Sequence, residues 1–396
     1  MFLMEKALTG SRRYWMWLAF LLGAIAVAGV VYLRQLDEGL GITGLSRDVS
    51  WGLYIGQFTF FVGVAASAVV VVLPFYLHRA RQFARITLLG EFLAMAAVVM
   101  CVLFIFVDLG QPARVLNILL YPTPSSLMFW DMLSLSGYLI INASLTWAAL
   151  RHERDELPHP AWMRTVALIS IPWAVSIHTV TAFLYCGLPG RSHWMTAILA
   201  PRFLASAFAA GPALLILLCL FLRRAADYDP GEGAVKTLST IMTYAAVINV
   251  FFMLVEIFTV GYARIPEHTQ PLTYLYFGLD GAYRMAPFMC LSGVLLLVAV
   301  ALLLTPRALG FRWTLPVACV LIFASLWMEK GLGLIVGGFV PSPLGNLTEY
   351  VPTLPEWTIV AGIWAVGALL VTVFVRIAIV VRGAERHACM EHAQGD

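Results

Sequence analysis

The sequence has little charge and lacks the cysteine patterns of a redox protein. Only 12% of its 396 residues are Asp, Glu, Lys or Arg, whereas 61% are hydrophobic. Because a soluble domain carries roughly 25% charged residues, this composition indicates an integral membrane protein. The net charge of +3 is too small to indicate a nucleic-acid partner, and none is expected.

The six cysteines lie far apart and form no C-x-x-C or C-x-x-C-H sequence. Those spacings hold iron–sulfur clusters and covalent haem, so neither cofactor is expected, and no metal site is predicted. Of the eight histidines only His178 falls inside an apolar segment, so a pair of axial histidines for haem b is lacking, although a methionine ligand stays open. Any redox centre is therefore expected on another protein.

Long apolar segments are what the sequence does contain. Ten windows are long enough to cross a bilayer: 14–33, 52–77, 86–107, 127–150, 164–186, 202–222, 237–262, 285–305, 313–334 and 357–381. Each is far longer than a strand of a membrane barrel, so the predicted fold class is an all-α integral membrane protein with about ten transmembrane helices. No long polar segment interrupts them, so residues 1–396 are predicted to form one polytopic membrane domain.

The distribution of Lys and Arg predicts the orientation. Of the 25 basic residues, 17 fall on the side of the N-terminus and eight on the other side. By the positive-inside rule both termini are cytoplasmic, and the protein is expected in the cytoplasmic (inner) membrane. The connections on the outer side are rich in Gly, Pro and aromatic residues, which suits a docking surface or a ligand vestibule.

Ionisable residues inside membrane spans are costly and usually functional. In this orientation Asp108 ends the third span at the outer face, and Asp131 begins the fourth there. His178 and Glu256 lie roughly 12 and 9 Å below the outer ends of the fifth and seventh spans, at 1.5 Å per residue. A turn at Asp108 and a favourable helix dipole at Asp131 are structural alternatives. Glu329 and Lys330, at the outer end of the ninth span, are expected at the interface.

The outer start of the second span, "RDVSWGLYIGQ", carries polar and aromatic groups. Asp48, beside Arg47, is a candidate helix N-cap and a candidate part of a pocket rim. Trp51 and Tyr54 share a helix face that could line that pocket, with an aromatic belt as the alternative. Gln57, one turn deeper, is not explained by an aromatic belt.

This one-sided set of Asp, Glu, His and Tyr beside aromatic rings suits quinone chemistry. Oxidation of a quinol releases two protons and two electrons, so the site needs bases, and the electrons must leave to a partner. Two other classes stay open. A secondary transporter would place its substrate at mid-membrane, and a redox-inactive anchor would only hold redox partners in the membrane.

Several stretches together resemble the NrfD family, the membrane subunits of polysulfide reductase and related respiratory complexes. They are "WGLYIGQFTFFVGVAASA" (51–68), "DLGQPARVLNILLYP" (108–122), "SLMFWDM" (126–132), "SIHTVTAFLYCGLPGRSHWMTAILAPRFLASAFAAGPALL" (176–215) and "EYVPTLPEW" (349–357). The N-terminal part is most similar to the DsrP variant, the quinone-interacting subunit of the Dsr membrane complex.

The resemblance implies two four-helix bundles, spans 2–5 and 6–9, flanked by spans 1 and 10. It implies a menaquinone site near the outer face, under a ferredoxin-like iron–sulfur subunit, in dissimilatory sulfur metabolism. A multihaem cytochrome c, a haem b membrane subunit and a cytoplasmic iron–sulfur subunit would complete the complex. The candidate catalytic residues are Asp108, Asp131, His178 and Glu256, and the candidate quinone-binding residues are Arg47, Asp48, Trp51, Tyr54, Gln57 and Tyr185.

Overall fold

The computed structural model describes residues 10–65, 67–77, 81–154, 160–226, 228–305 and 312–394. Within these ranges the chain is almost entirely helical and contains no β-strand, only an isolated bridge between Leu279 and Ala282. The predicted all-α fold class is confirmed.

Ten helices of the described chain are long and apolar enough to cross a membrane, which confirms the expected number. We number them spans 1 to 10 in chain order: Arg12–Ile42, Leu53–Phe75, Ile86–Asp108, Leu127–His152, Ala161–Cys186, Leu199–Ala225, Glu232–Ala263, Ala286–Leu304, Thr314–Gly337 and Leu354–Ile379. In a bilayer the backbone must satisfy its own hydrogen bonds, which is why long apolar runs become helices. A further helix, Pro266–Tyr276, lies between spans 7 and 8.

The spans differ in how much of their surface is inside the protein. Spans 2, 3, 6 and 9 are mostly buried, whereas spans 1, 7 and 8 are mostly exposed. Span 2 packs against spans 3 and 6, span 4 against span 5, and span 6 against spans 7 and 9. Span 10 packs against spans 1 and 3. The two-bundle arrangement and the cytoplasmic position of the termini stay predictions.

Span 9 changes from an α-helix to a π-helix at Glu329–Gly333 before it continues as Leu334–Gly337. Single π-helical turns occur often at functional sites. The turn lies against span 2 so closely that a Cβ atom on Gly56 would overlap the Gly331 carbonyl oxygen and lie 2.7 Å from the carbonyl carbon. Glycine at position 56 therefore permits this contact.

One buried carboxylate ties together the end of the protein at which span 1 ends and span 2 begins, which we call the site end. The Glu356 carboxylate accepts hydrogen bonds from the Gly44 and Thr353 N–H groups, each at 2.8 Å, and from the Tyr350 hydroxyl at 2.5 Å. The Tyr350 oxygen in turn accepts the Leu53 N–H at 2.8 Å. The segments before spans 2 and 10 are thus fixed to each other.

Replacement of Tyr350 by Phe is expected to lower the stability of the protein by about 1–3 kcal/mol. The change leaves the Leu53 N–H without its acceptor and removes a donor from the Glu356 carboxylate, and unsatisfied buried groups carry a cost of this size. The thermal midpoint of the purified complex measures the loss. Exposed Tyr283→Phe is the control and should not shift the midpoint; equal shifts would contradict the prediction.

Candidate functional site

The first polar cluster at the site end consists of Asp131, His178, Thr181, Tyr185 and Thr59. The Thr181 hydroxyl donates to Asp131 Oδ1 at 2.6 Å, and the hydroxyls of Tyr185 and Thr59 lie 2.5 Å apart. All five residues are buried. Spans 2, 4 and 5 each contribute to the cluster, which therefore exists only after these helices have packed.

His178 is the member of the first cluster with the least support from its surroundings. It lies one turn before Thr181 and is fully buried, yet neither ring nitrogen has a hydrogen-bond partner among the described residues. A buried polar group without a partner costs free energy, so such a group marks a place for a ligand or for water. No cation of the described chain pairs with Asp131. The cluster thus holds two protonatable groups that no ion pair neutralises.

Aromatic rings cover the first cluster on the side of the connecting segments. Trp51 makes ring contacts with Tyr185 and Trp194, each at 5.9 Å between centroids. Phe339 closes the group at 6.0 Å from Trp51 and 5.2 Å from Trp194. The predicted residues Trp51 and Tyr185 are therefore neighbours.

Tyr54 and Gln57 face a different part of the protein. The Tyr54 hydroxyl donates to Gln35 Oε1 in span 1 at 2.7 Å. Gln57 Oε1 accepts the indole N–H groups of Trp327 and Trp364, at 2.9 and 3.1 Å. Trp51 and Tyr54, which the sequence suggests could line one pocket, thus contact different neighbours.

The remaining predicted residues of this region lie nearer the surface. Asp108 is half-buried, and its Oδ1 atom has no hydrogen-bond partner among the described residues. Asp48 accepts hydrogen bonds from Thr348 at 3.2 Å and Asn346 at 3.5 Å, and pairs with exposed Arg47 at 3.3 Å. Span 2 begins only at Leu53, so Asp48 does not cap it and instead joins two connecting segments.

A second polar cluster consists of Arg202, Glu256, Glu329 and Lys330, from spans 6, 7 and 9. The Arg202 guanidinium donates through Nη1 to Glu256 Oε2 and through Nη2 to Glu329 Oε1. Lys330 Nζ lies 3.3 Å from the Phe203 carbonyl oxygen and 4.0 Å above the Phe203 ring. All four charged residues are buried, and two cations balance two anions.

The second cluster corrects two expectations from the sequence. Glu329 and Lys330, expected at the interface, are 4% and 3% exposed and lie on the π-helical turn. Glu256 does not join Asp131 and His178; it pairs with Arg202, which the sequence places at the outer edge of the sixth span. Span 6 begins at Leu199 and includes Pro201 in its first turn, where a missing N–H costs nothing. This Pro signal could have placed Arg202 inside the helix.

Glu356 was also missed, although the sequence contains a signal for it. Thr353 and Glu356 have the spacing of a capping box, in which a Glu three residues after the cap binds the N–H of the cap. The structure forms that bond, at 2.8 Å between Thr353 N and Glu356 Oε2. The bonds to Gly44 and Tyr350, which come from distant segments, have no local signal.

A cavity of about 230 Å³ adjoins the second cluster between span 7, the helix Pro266–Tyr276 and the segment 187–198. Glu256, His193 and His268 contribute polar groups to its wall. A separate apolar cavity of about 270 Å³ lies deeper, below the Gln57 layer, between spans 2, 3, 6, 9 and 10. Within the described ranges no three His, Cys, Asp or Glu side chains come together as metal ligands.

Ten apolar helices with buried polar clusters at one end define a multi-pass integral membrane protein. A family model described as polysulphide reductase, NrfD, matches residues 41–340, so the chain belongs to the NrfD family. The family resemblance of the sequence is confirmed.

Three relatives match over nearly the whole chain. The C subunit of the selenate reductase of Mesobacillus selenatarsenatis is 25% identical, over 90% of this chain and 92% of its own. A putative C-type membrane subunit of a dimethyl sulfoxide reductase of Halobacterium salinarum is 26% identical, over 90% and 89%. The Hdr-like menaquinol oxidoreductase integral membrane subunit of Archaeoglobus fulgidus is 22% identical, over 94% and 95%.

Proposed function

We propose that this chain is the quinone-reactive membrane subunit of a respiratory oxidoreductase complex. It exchanges electrons between menaquinol and an iron–sulfur partner at the site end. The observation that carries the proposal is the first cluster, where a fully buried His178 without hydrogen-bond partners lies one turn from the Thr181–Asp131 pair. The names of the three relatives, all subunits of reductases or oxidoreductases, support membership of such a complex.

Quinol oxidation has requirements that the first cluster meets. Each hydroxyl proton of the quinol needs a base, and a base works best without a permanent cation partner. His178 offers an unprotonated ring nitrogen, and Asp131 offers a carboxylate held at 2.6 Å by Thr181. The aromatic rings of Trp51 and Tyr185 provide an apolar wall for a quinone ring. The electrons pass to the partner, because no redox centre is expected on this chain.

The finer parts of the proposal rest on resemblance. Menaquinol is the proposed substrate because a relative is named a menaquinol oxidoreductase subunit. Similarity to the DsrP variant supports a complex of dissimilatory sulfur metabolism in the cytoplasmic membrane. Its proposed partners are a ferredoxin-like iron–sulfur subunit, a multihaem cytochrome c, a haem b membrane subunit and a cytoplasmic iron–sulfur subunit.

The proposal is tested by His178→Gln, Asp131→Asn and Asp108→Asn in the assembled complex. Each variant keeps the approximate shape of the side chain but removes its ability to take up a proton. Reduction of the partner clusters by a short-chain menaquinol is expected to slow by roughly 10²-fold or more, the contribution of a general base. Rapid-freeze EPR measures the rate, and native gels check assembly.

Glu91→Gln is the matched control. Glu91 is a buried carboxylate toward the opposite end of span 3, where it accepts a hydrogen bond from Thr146 at 3.0 Å. Cluster reduction should keep its normal rate in this variant. Normal rates in all three test variants as well would leave the chain as a redox-inactive anchor.

A further inference from the structure

The cavity beside Glu256 combines polar and apolar walls and belongs to neither polar cluster. Its volume of about 230 Å³ exceeds the roughly 150 Å³ of an engineered cavity that admits benzene. Thr259 and Ala263 of span 7 line it and are exposed on the flank that faces lipid. A membrane-soluble ring compound can therefore reach it from the side without crossing the aqueous phase.

The polar atoms of this cavity mostly accept hydrogen bonds. The Ser192 hydroxyl donates to the Glu267 carbonyl oxygen, and the Thr259 hydroxyl donates to the Val255 carbonyl oxygen at 2.7 Å. Both hydroxyl protons are thus used inside the protein, which leaves lone pairs toward the cavity. Glu256 binds Arg202 through Oε2, and its Oε1 atom has no hydrogen-bond partner among the described residues.

Two histidines add to this acceptor character. The imidazoles of His193 and His268 line the cavity and have no hydrogen-bond partner in the described part of the chain. Burial lowers the pKa of His193, so its ring is neutral at physiological pH and presents one acceptor nitrogen. A ligand that fits must therefore bring donors.

We propose that this cavity is a second quinol-binding site, which takes the reduced form of the quinone through hydrogen bonds from the quinol hydroxyls to Glu256 and the histidines. It rests on the proposed function, because the ligand is the same quinol that reacts at the first cluster. The oxidised quinone has only carbonyl acceptors, which meet acceptors in the wall. A site built for hydroxyl donors discriminates strongly against an analogue without them.

The test compares binding of a short-chain menaquinol and of its quinone to the whole complex in lipid nanodiscs. Ala263→Phe fills the cavity from span 7, and His268→Phe removes an acceptor while keeping a ring of similar size. Both variants should lose one equivalent of bound quinol, or bind it at least about tenfold more weakly, the effect of one ordinary hydrogen bond. Quinone binding should not change in either variant.

Leu254→Phe is the matched control, since Leu254 is an exposed residue of span 7 that does not line the cavity. It should bind quinol normally. Wild-type quinol binding in Ala263→Phe would overturn the inference, as would loss of quinone together with quinol. Nanodiscs with and without phosphatidylethanolamine, whose ammonium group also donates hydrogen bonds, show whether that lipid is the occupant instead; its retention in place of quinol overturns the inference too.

The outcomes separate this inference from the proposed function. Slow cluster reduction in His178→Gln together with normal quinol binding in Ala263→Phe would remove the second site and leave the quinone-reactive function. Normal cluster reduction in the His178, Asp131 and Asp108 variants would remove the function itself.

Discussion

Arg202→Met is expected to destabilise the protein by about 3–5 kcal/mol. The change leaves Glu256 and Glu329 buried with only Lys330 to balance them, and an uncompensated buried charge carries a cost of this size. Glu329 Oε2 already lacks a partner among the described residues, so no spare donor can replace the guanidinium. Lower yield in membranes and a lower thermal midpoint of the purified complex would measure the loss.

Charge balance makes this prediction separable from simple loss of packing. The double variant Arg202→Met/Glu256→Gln leaves one cation, Lys330, and one anion, Glu329, and should recover much of the stability. Arg223→Met, at the other end of span 6, removes an exposed guanidinium 3.9 Å from exposed Glu232 and should have no measurable effect. A double variant no more stable than Arg202→Met would show that charge is not the cause.

Gly56→Ala is expected to destabilise the packing of span 2 on span 9 by about 3 kcal/mol, the upper part of the usual range for overpacking. The added Cβ atom would overlap the oxygen of the Gly331 carbonyl and lie 2.7 Å from its carbon. Both are backbone atoms, which cannot rotate away as a side chain would. The helices must therefore separate, which also strains the hydrogen bond from Trp327 to Gln57.

Gly63→Ala provides the matched control on the same helix. Its Cβ atom would lie 3.7 Å from Ala207 Cα, an ordinary contact, and alanine favours the helix over glycine by about 1 kcal/mol. The thermal midpoint should fall for position 56 and stay or rise for position 63. A fall of equal size at both positions would mean that neither effect depends on the close approach to Gly331.

Much of the fold could be predicted because membrane helices are local. Each apolar run must satisfy its own backbone hydrogen bonds, so the number of spans follows from the sequence without knowledge of their neighbours. The same reasoning indicated an unusual role for His178, since an ionisable side chain at that depth has no access to water. Its burial without a partner agrees with that expectation.

The candidate site could be predicted only in part, because helix rotation decides which side chains meet. Trp51 and Tyr54 lie three residues apart, yet Trp51 contacts Tyr185 and Tyr54 binds Gln35. Glu256 met Arg202 and not His178, since span 7 packs on span 6. Nothing in one sequence reports these pairings.

By itself the sequence determined that this protein is a helical membrane protein of about ten spans with protonatable residues near the ends of several spans. Hydropathy and backbone hydrogen bonding act within one helix, so these properties need no tertiary contact. Only the tertiary structure decided that Arg202 lies between two carboxylates, that Lys330 is inside, and that His178 has no partner among the described residues. Each of these depends on distances between different helices, which packing sets.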